Sequence, residues 1–415
     1  MPIVTSTDDV AVGMRLHEPA YAGAQLLLPA GKTLNSADVD FLRSRAPGIA
    51  LRVEDPVLDE LVTFDDDRHD REVAQTAQRQ LVGLLSDVQQ KLGARVAMKS
   101  RDCVGIEQAV QGVVTYLEEN RVMAMHLIRQ QPDEEYLVSH AAQVFYLSLV
   151  MGNAVRSRVA QARHGTMPPS KFNLVPLALG ALFMDLAMLP MKDVYGQTEP
   201  LSIEQLEQIR HHPLASAEML PSETPEITKL LIETHHENYD GSGYPYGLKG
   251  DQTHIFARIL RIADAYAAAT ATHIYKEACS PVNALWQMTW GNSAQFYDPI
   301  LIKIFVSLMQ PFPIGAKLKL SSEEYGVVVR FGQSSPFLPE IIIAFDSEGK
   351  RLPPARLRGP LKLDETPDLR IVSFMGEELS EIYNRNTKLP AVSSKEFTTL
   401  YESVVTGCAT LPNPA

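Results

Sequence analysis

Residues 235 to 245 of this chain place two adjacent histidines ahead of an acidic residue and a glycine-broken turn, His235-His236-Glu237-Asn238-Tyr239-Asp240-Gly241-Ser242-Gly243-Tyr244-Pro245. Imidazole beside carboxylate is metal-binding chemistry, and three further residues carry the same chemistry in apolar surroundings. Asp185 is the one charge between Leu174 and Pro190, Asp264 interrupts Ile262-Ala263-Asp264-Ala265-Tyr266, and His140 interrupts the stripe of Leu137, Val144 and Leu147. A buried carboxylate without a partner or a metal costs several kcal/mol. Each residue alone has the profile of a hydrogen-bonded core group. Together with His235 and His236 they favour a His/Asp metal cluster, and oxygen and nitrogen donors without thiolate suit Fe, Mn or Zn.

Positioning such groups is the work of helices. Thr224-Pro225-Glu226 has the form of a helix start, with Thr224 as the N-cap and Pro225 at the first helical position. Ile227, Leu230 and Leu231 make the inward stripe, and His235 falls one turn beyond Leu231 on the same face. Gly241 and Gly243 are expected to end that helix. A second helix is predicted from Leu174 to Pro190, with Asp185 sharing a face with Leu177, Ala181 and Met188.

The run His-His-Glu-x-x-Asp-Gly-x-Gly-Tyr-Pro resembles the signature of the HD-GYP family, a branch of the HD metal-dependent phosphohydrolases whose members typically hydrolyse the bacterial messenger cyclic di-GMP. The resemblance covers roughly His140 to Leu285. It implies a metal-ligand set of His140, Asp185, His212 in Arg210-His211-His212-Pro213, His235, His236 and Asp264, with Asp185 and Asp264 as the catalytic carboxylates. It also implies substrate contacts from Gly243, Tyr244, Pro245 and Lys276. Two metals bridged by Asp185 would activate water for in-line attack on a phosphodiester.

Departures from the family pattern bear on activity. Where the family has His-Asp-x-Gly-Lys, this chain has Met184-Asp185-Leu186-Ala187-Met188, and His273 replaces a phosphate-binding arginine. A thioether is a weak ligand for Fe, Mn or Zn in this setting. The half of the cluster with Asp185, His212, His235 and His236 is complete; the half built on His140, Met184 and Asp264 lacks a ligand. Fewer ions than a complete site holds are therefore expected, with His211 and His164 as stand-ins of surface character. Two functions follow: a cyclic di-GMP phosphodiesterase weakened by these losses, or an inactive domain acting as a cyclic dinucleotide receptor or protein-interaction module. The family's glycine-tyrosine-proline loop implies diguanylate cyclase domains as partners.

The remaining chain frames this core. With 415 residues, 45% of them hydrophobic, it is long enough for a core and accessory domains. A net charge of −12 and the lack of a basic stripe argue against duplex nucleic acid. Cys103, Cys279 and Cys408 lie far apart, which suits a reducing cytoplasm. Met1-Pro2-Ile3-Val4 lacks a basic segment followed by an apolar run, and no stretch approaches the ~18 apolar residues of a membrane span, so a soluble protein is expected. The expected fold class is mainly α: an all-helical core of the HD type over 132–310, a small α+β domain over 1–60, a helical linker over 70–130, a β-unit over 311–380 and an irregular tail over 386–415. Leu81, Leu84 and Leu85, and then Val110, Val113, Val114 and Leu117, give the linker apolar faces suited to pairing or to a homodimer.

Overall fold

The computed structural model describes residues 3–7, 10–22, 25–55, 100–119, 136–162, 172–191, 201–271 and 279–383, with single positions outside these ranges. Two compact units emerge. One contains residues 1–67, 131–133 and 309–391, the other residues 68–130, 134–308 and 392–415.

The first unit draws on both ends of the chain. Strand β1 (Ile3–Ser6) pairs antiparallel with β4 (Ala50–Val53), while β2 (Ala20–Ala22) and β3 (Gln25–Leu28) form a hairpin. Between them α1 (Ser36–Arg45) begins at a reciprocal cap of Asn35 and Asp38. Strands β5 (Lys317–Leu320), β6 (Tyr325–Arg330), β7 (Glu340–Phe345), β8 (Arg358–Lys362), β9 (Ile371–Phe374) and β10 (Glu377–Glu378) form an antiparallel sheet in the order β10-β9-β5-β6-β7-β8. β5 alternates buried and half-buried positions, whereas Val327–Val329 and Ile341–Ile343 are buried on both sides. Central strands covered on both faces read as continuous apolar runs. On one face the cover comes from the N-terminal segment: Ile3, Leu16, Leu42 and Val53 share one core with Val327, Val329, Ile342 and Ala344. A fork of Arg351 onto Asp55, at 2.8 and 3.2 Å, ties the two ends together.

The second unit is the helical core. It comprises α2 (Ser100–Glu119), α3 (Tyr136–Ala162), α4 (Val175–Phe183), α5 (Ile203–Glu218), α6 (Glu226–Thr234), α7 (Ile255–Thr270), α8 (Pro281–Trp290) and α9 (Pro299–Leu308). Val110, Val113, Val114 and Leu117 of α2 are all buried; Leu81, Leu84 and Leu85 lie outside the described residues. No helix among the described residues is long and apolar enough to cross a membrane.

Local chemistry corrects three sequence expectations. The single helix from Leu174 to Pro190 is instead α4, a turn at Met184-Asp185, and a short 3-10 segment, Leu186–Met191. Pro190 cannot donate to an α-helical ladder, and the Ala187 N–H leaves the helix to bond Ser216 Oγ at 3.0 Å. Asp185 therefore projects from a turn. Pro225, not Thr224, is the N-cap of α6, and no side chain caps that end. Finally, α6 stops at Thr234, well before Gly241 and Gly243, because His235 is already its C-cap.

Candidate metal centre

Five separate segments deliver six side chains to one place: His140 from α3, Asp185 from the turn after α4, His212 from α5, His235 and His236 from the end of α6, and Asp264 from α7. His212 Nε2 lies 3.2 Å from Asp185 Oδ1 and 3.2 Å from His235 Nε2. His140 Nε2 lies 3.0 Å from Asp264 Oδ1 and 3.8 Å from Asp185 Oδ2. His236 Nδ1 sits 3.9 Å from Asp264 Oδ2. His212, His235 and His236 each offer a ligand atom within 4.8 Å of the others. The cluster is nearly sealed, with solvent reaching the side chains of Asp185 (15% exposed) and His236 (21%) on its open side.

Backbone chemistry aims two of these imidazoles. Pro213 has no N–H, so the Ile209 carbonyl four residues earlier loses its helical donor. His212 Nδ1 lies 2.5 Å from that carbonyl. At the end of α6 the Ile232 carbonyl is left open by the helix terminus. His235 Nδ1 lies 2.6 Å from it. In both rings the carbonyl fixes Nδ1 as the protonated nitrogen and turns Nε2 inward. Two Nε2 atoms and Asp185 Oδ1 then surround one point as acceptors. One proton on His212 can bridge them; a divalent cation would satisfy all three at once, and the donor set fits such an ion.

The electrostatics follow from this crowding. Burial alone would raise the Asp185 carboxyl, but the hydrogen bond and charge of His212, with His140 beside it, hold it at about 2. Asp264 is likewise depressed against burial, through His140, His236 and Arg261. Burial opposes protonation of His140 and His212, yet bonds to Asp264 and Asp185 raise both. His235 is pushed down to about 4 by burial and by His212, and His236 falls well below its usual value through burial and His235. The two carboxylates thus favour protonation of His140 and His212 while burial disfavours it on His235 and His236, so a metal entering the cluster would compete with protons.

The loop after the histidines is built tightly around them. Glu237, buried, accepts the backbone N–H of Tyr246 at 2.7 Å and of Leu248 at 2.9 Å, so its carboxylate organises the loop. A Cβ on Gly243 would stand 2.2 Å from Asn238 N and 2.5 Å from His236 O, which only glycine avoids. Gly241 adopts φ +86°, the other position where glycine is required. The Tyr244 ring stacks on His236 at 4.8 Å, with the Arg210 guanidinium 6.0 Å above the Tyr244 ring. Pro245 is held in the same loop. Lys276, His273 and His164 lie outside the described residues, and His211 is exposed on α5. Met184 and Met188 are buried.

Sequence reasoning missed Glu237, Arg258 and Arg261. Arg258, buried, meets Asp298 at 2.6 Å and Asp251 at 3.0 Å. Asp298 also accepts the first N–H groups of α9. Arg261 stands one turn before Asp264 on α7, and that spacing of three was the available signal.

Residues 154–301 match the family model described as HD domain. A cyclic di-GMP phosphodiesterase of Pseudomonas aeruginosa is 27% identical over 230 residues, covering 54% of this chain and 52% of its own length. The cyclic di-GMP phosphodiesterase PdeB of Borreliella burgdorferi is 25% identical over 211 residues, 50% of this chain and 52% of its own. The chain spans about half the length of these relatives. Among solved structures, Bd1817, a HDG"Y"P protein from Bdellovibrio bacteriovorus, aligns with TM-score 0.39 and 14% identity over 72% of this chain and 94% of that one. The helical unit thus contains an HD domain. Within it, residues 235–245 are similar to the HD-GYP signature, and Met184 stands where that pattern has the histidine of the HD pair.

Proposed function

We propose that this chain is a metal-dependent phosphodiesterase acting on cyclic di-GMP, with fewer metal ions than a complete HD-GYP site. The convergence of His140, Asp185, His212, His235, His236 and Asp264 on one partly open point carries this reading. His212, His235, His236 and Asp185 would hold an Fe, Mn or Zn ion. When bound, such an ion supplies Lewis acidity toward a phosphodiester oxygen and activates the attacking water. The chain's own residues do the rest. Carbonyl-anchored imidazoles keep the donors preorganised, Asp185 links the two halves, and Gly243, Tyr244 and Pro245 shape the open side against His236. Lys276 is assigned a phosphate contact on the family pattern. Both named relatives are cyclic di-GMP phosphodiesterases, which supports the substrate class. Cysteine usage supports a cytoplasmic site of action, and the loop is the surface assigned to diguanylate cyclase domains; the apolar stripe of α2 is already buried within the chain and is not offered to a second copy.

A second reading is favoured by Met184, buried without exposure where the family pattern places a histidine. In it the domain binds the dinucleotide, or a protein, without turnover. One experiment separates the two: full chain with cyclic di-GMP under Mn or Fe, followed for linear dinucleotide or GMP, beside a binding titration. Turnover supports the enzyme. Saturable binding without turnover supports the receptor, and neither signal rejects both.

A further inference from the structure

Arg261 is held in an unusual way for a half-buried cation. Its Nε donates to Asn238 Oδ1 at 2.9 Å, and its guanidinium lies 5.5 Å over the Tyr297 ring. Both partners are neutral. The nearest carboxylate, Asp264 Oδ2, stands 3.8 Å from NH1, beyond hydrogen-bond length. Asp264 is meanwhile engaged by His140 at 3.0 Å. The guanidinium is therefore aimed and stiffened by uncharged groups while its charge has no short ion pair.

Other arginines near the site differ. Arg258, one turn earlier, is closed off by Asp298 at 2.6 Å and Asp251 at 3.0 Å. Arg210 is exposed, and its charge is screened by solvent. Among the described residues, Arg261 is the Lys or Arg that comes within 4.0 Å of a carboxylate of the cluster. Its side chain is 16% exposed, enough to meet a ligand entering over Asp185 and His236.

We propose that Arg261 is the ligand-binding cation of the weaker half of the centre, receiving a phosphate oxygen of the nucleotide where Met184 and Met188 have removed a metal ligand and a lysine. This rests on the proposed phosphodiester ligand. A planar guanidinium presents two parallel N–H donors to a phosphate, which an ammonium does not. Fixed by Asn238 and Tyr297, it reorganises little on binding.

The test uses the full chain loaded with Mn, and three measurements: affinity for a non-hydrolysable phosphorothioate of cyclic di-GMP, metal content by elemental analysis, and Tm. Arg261→Gln should weaken binding about 10- to 100-fold, as loss of a charge-assisted contact does, while metal content and Tm stay near wild type. Arg261→Lys should recover only part of the affinity. Wild-type affinity in Arg261→Gln would overturn the proposal and leave the proposed function standing. So would a loss of affinity that comes with loss of metal, or with a fall in Tm that Arg261→Lys shares, because Arg261 would then be structural. If the wild-type chain binds no cyclic dinucleotide and hydrolyses none, the functional reading fails and the assignment of Arg261 fails with it.

Discussion

The two halves of the centre use the same residue types but hold them differently. In the half with His212 and His235, each Nδ1 is pinned by a carbonyl that the helix leaves open, one beside Pro213 and one at the end of α6. In the half with His140 and Asp264, His140 Nδ1 is buried with no hydrogen-bond partner among the described residues, and its Nε2 already meets Asp264. In both halves a proton shared with a carboxylate must leave before an ion is held, but in the first half the carbonyls already fix the direction of each imidazole, whereas in the second only the bond to Asp264 does. Loss of the histidine at position 184 falls on the half with the weaker backbone support. The prediction is that metal affinity at this cluster depends on how the far side of each imidazole is held as much as on the number of donors.

Asp185 touches both halves, so its removal should have the largest effect. Asp185→Asn is expected to leave metal near zero by elemental analysis and to lower any hydrolysis by at least ~100-fold, since it removes a ligand rather than a supporting group. Separating the halves comes next: His235→Ala should empty the preorganised half and lose most bound metal, whereas His140→Ala should leave metal content nearly unchanged. Equal losses in the two variants would erase the contrast drawn above. A gain is expected from Met184→His with Met188→Lys, which restores a ligand and a phosphate-facing charge to the weaker half. Metal per chain and cyclic di-GMP turnover should both rise, and if neither moves, the two methionines are not the defect.

Much of this site was legible before any coordinates. The spacing of His235 and His236 from the glycine turn, and lone charges at Asp185, His140 and Asp264, singled out all but one of the six residues that cluster in space; His212 needed the family pattern. Helix boundaries were less legible, because they were settled by partners distant in sequence. Ser216 draws the Ala187 N–H out of α4, and no local propensity at Leu174 to Pro190 encodes that bond. Roles of charged residues inside α7 were hidden for the same reason. Arg258 and Arg261 look alike in sequence, yet Asp298 closes one and Asn238 with Tyr297 steadies the other. The shared core of the N-terminal segment and the terminal sheet joins residues some 300 positions apart in sequence, a pairing that periodicity cannot reveal.

Pro213 offers the finest test, because stability and ligation should move in opposite directions. A proline inside a helix forfeits one backbone bond and costs about 3 kcal/mol in a helix interior. Here the forfeited bond is the one to the Ile209 carbonyl, the group that faces His212 Nδ1 at 2.5 Å. Pro213→Ala returns a backbone N–H to that carbonyl, and the imidazole must share its anchor or lose it. After allowance for lost proline packing and a freer unfolded chain, the variant should be more stable by about 1 kcal/mol, seen as a higher Tm without metal. Metal affinity should fall by roughly 10-fold, the lower end of what removing a supporting partner costs. Parallel changes in both quantities would mean that Pro213 merely packs, and that His212 takes its direction from Asp185 alone.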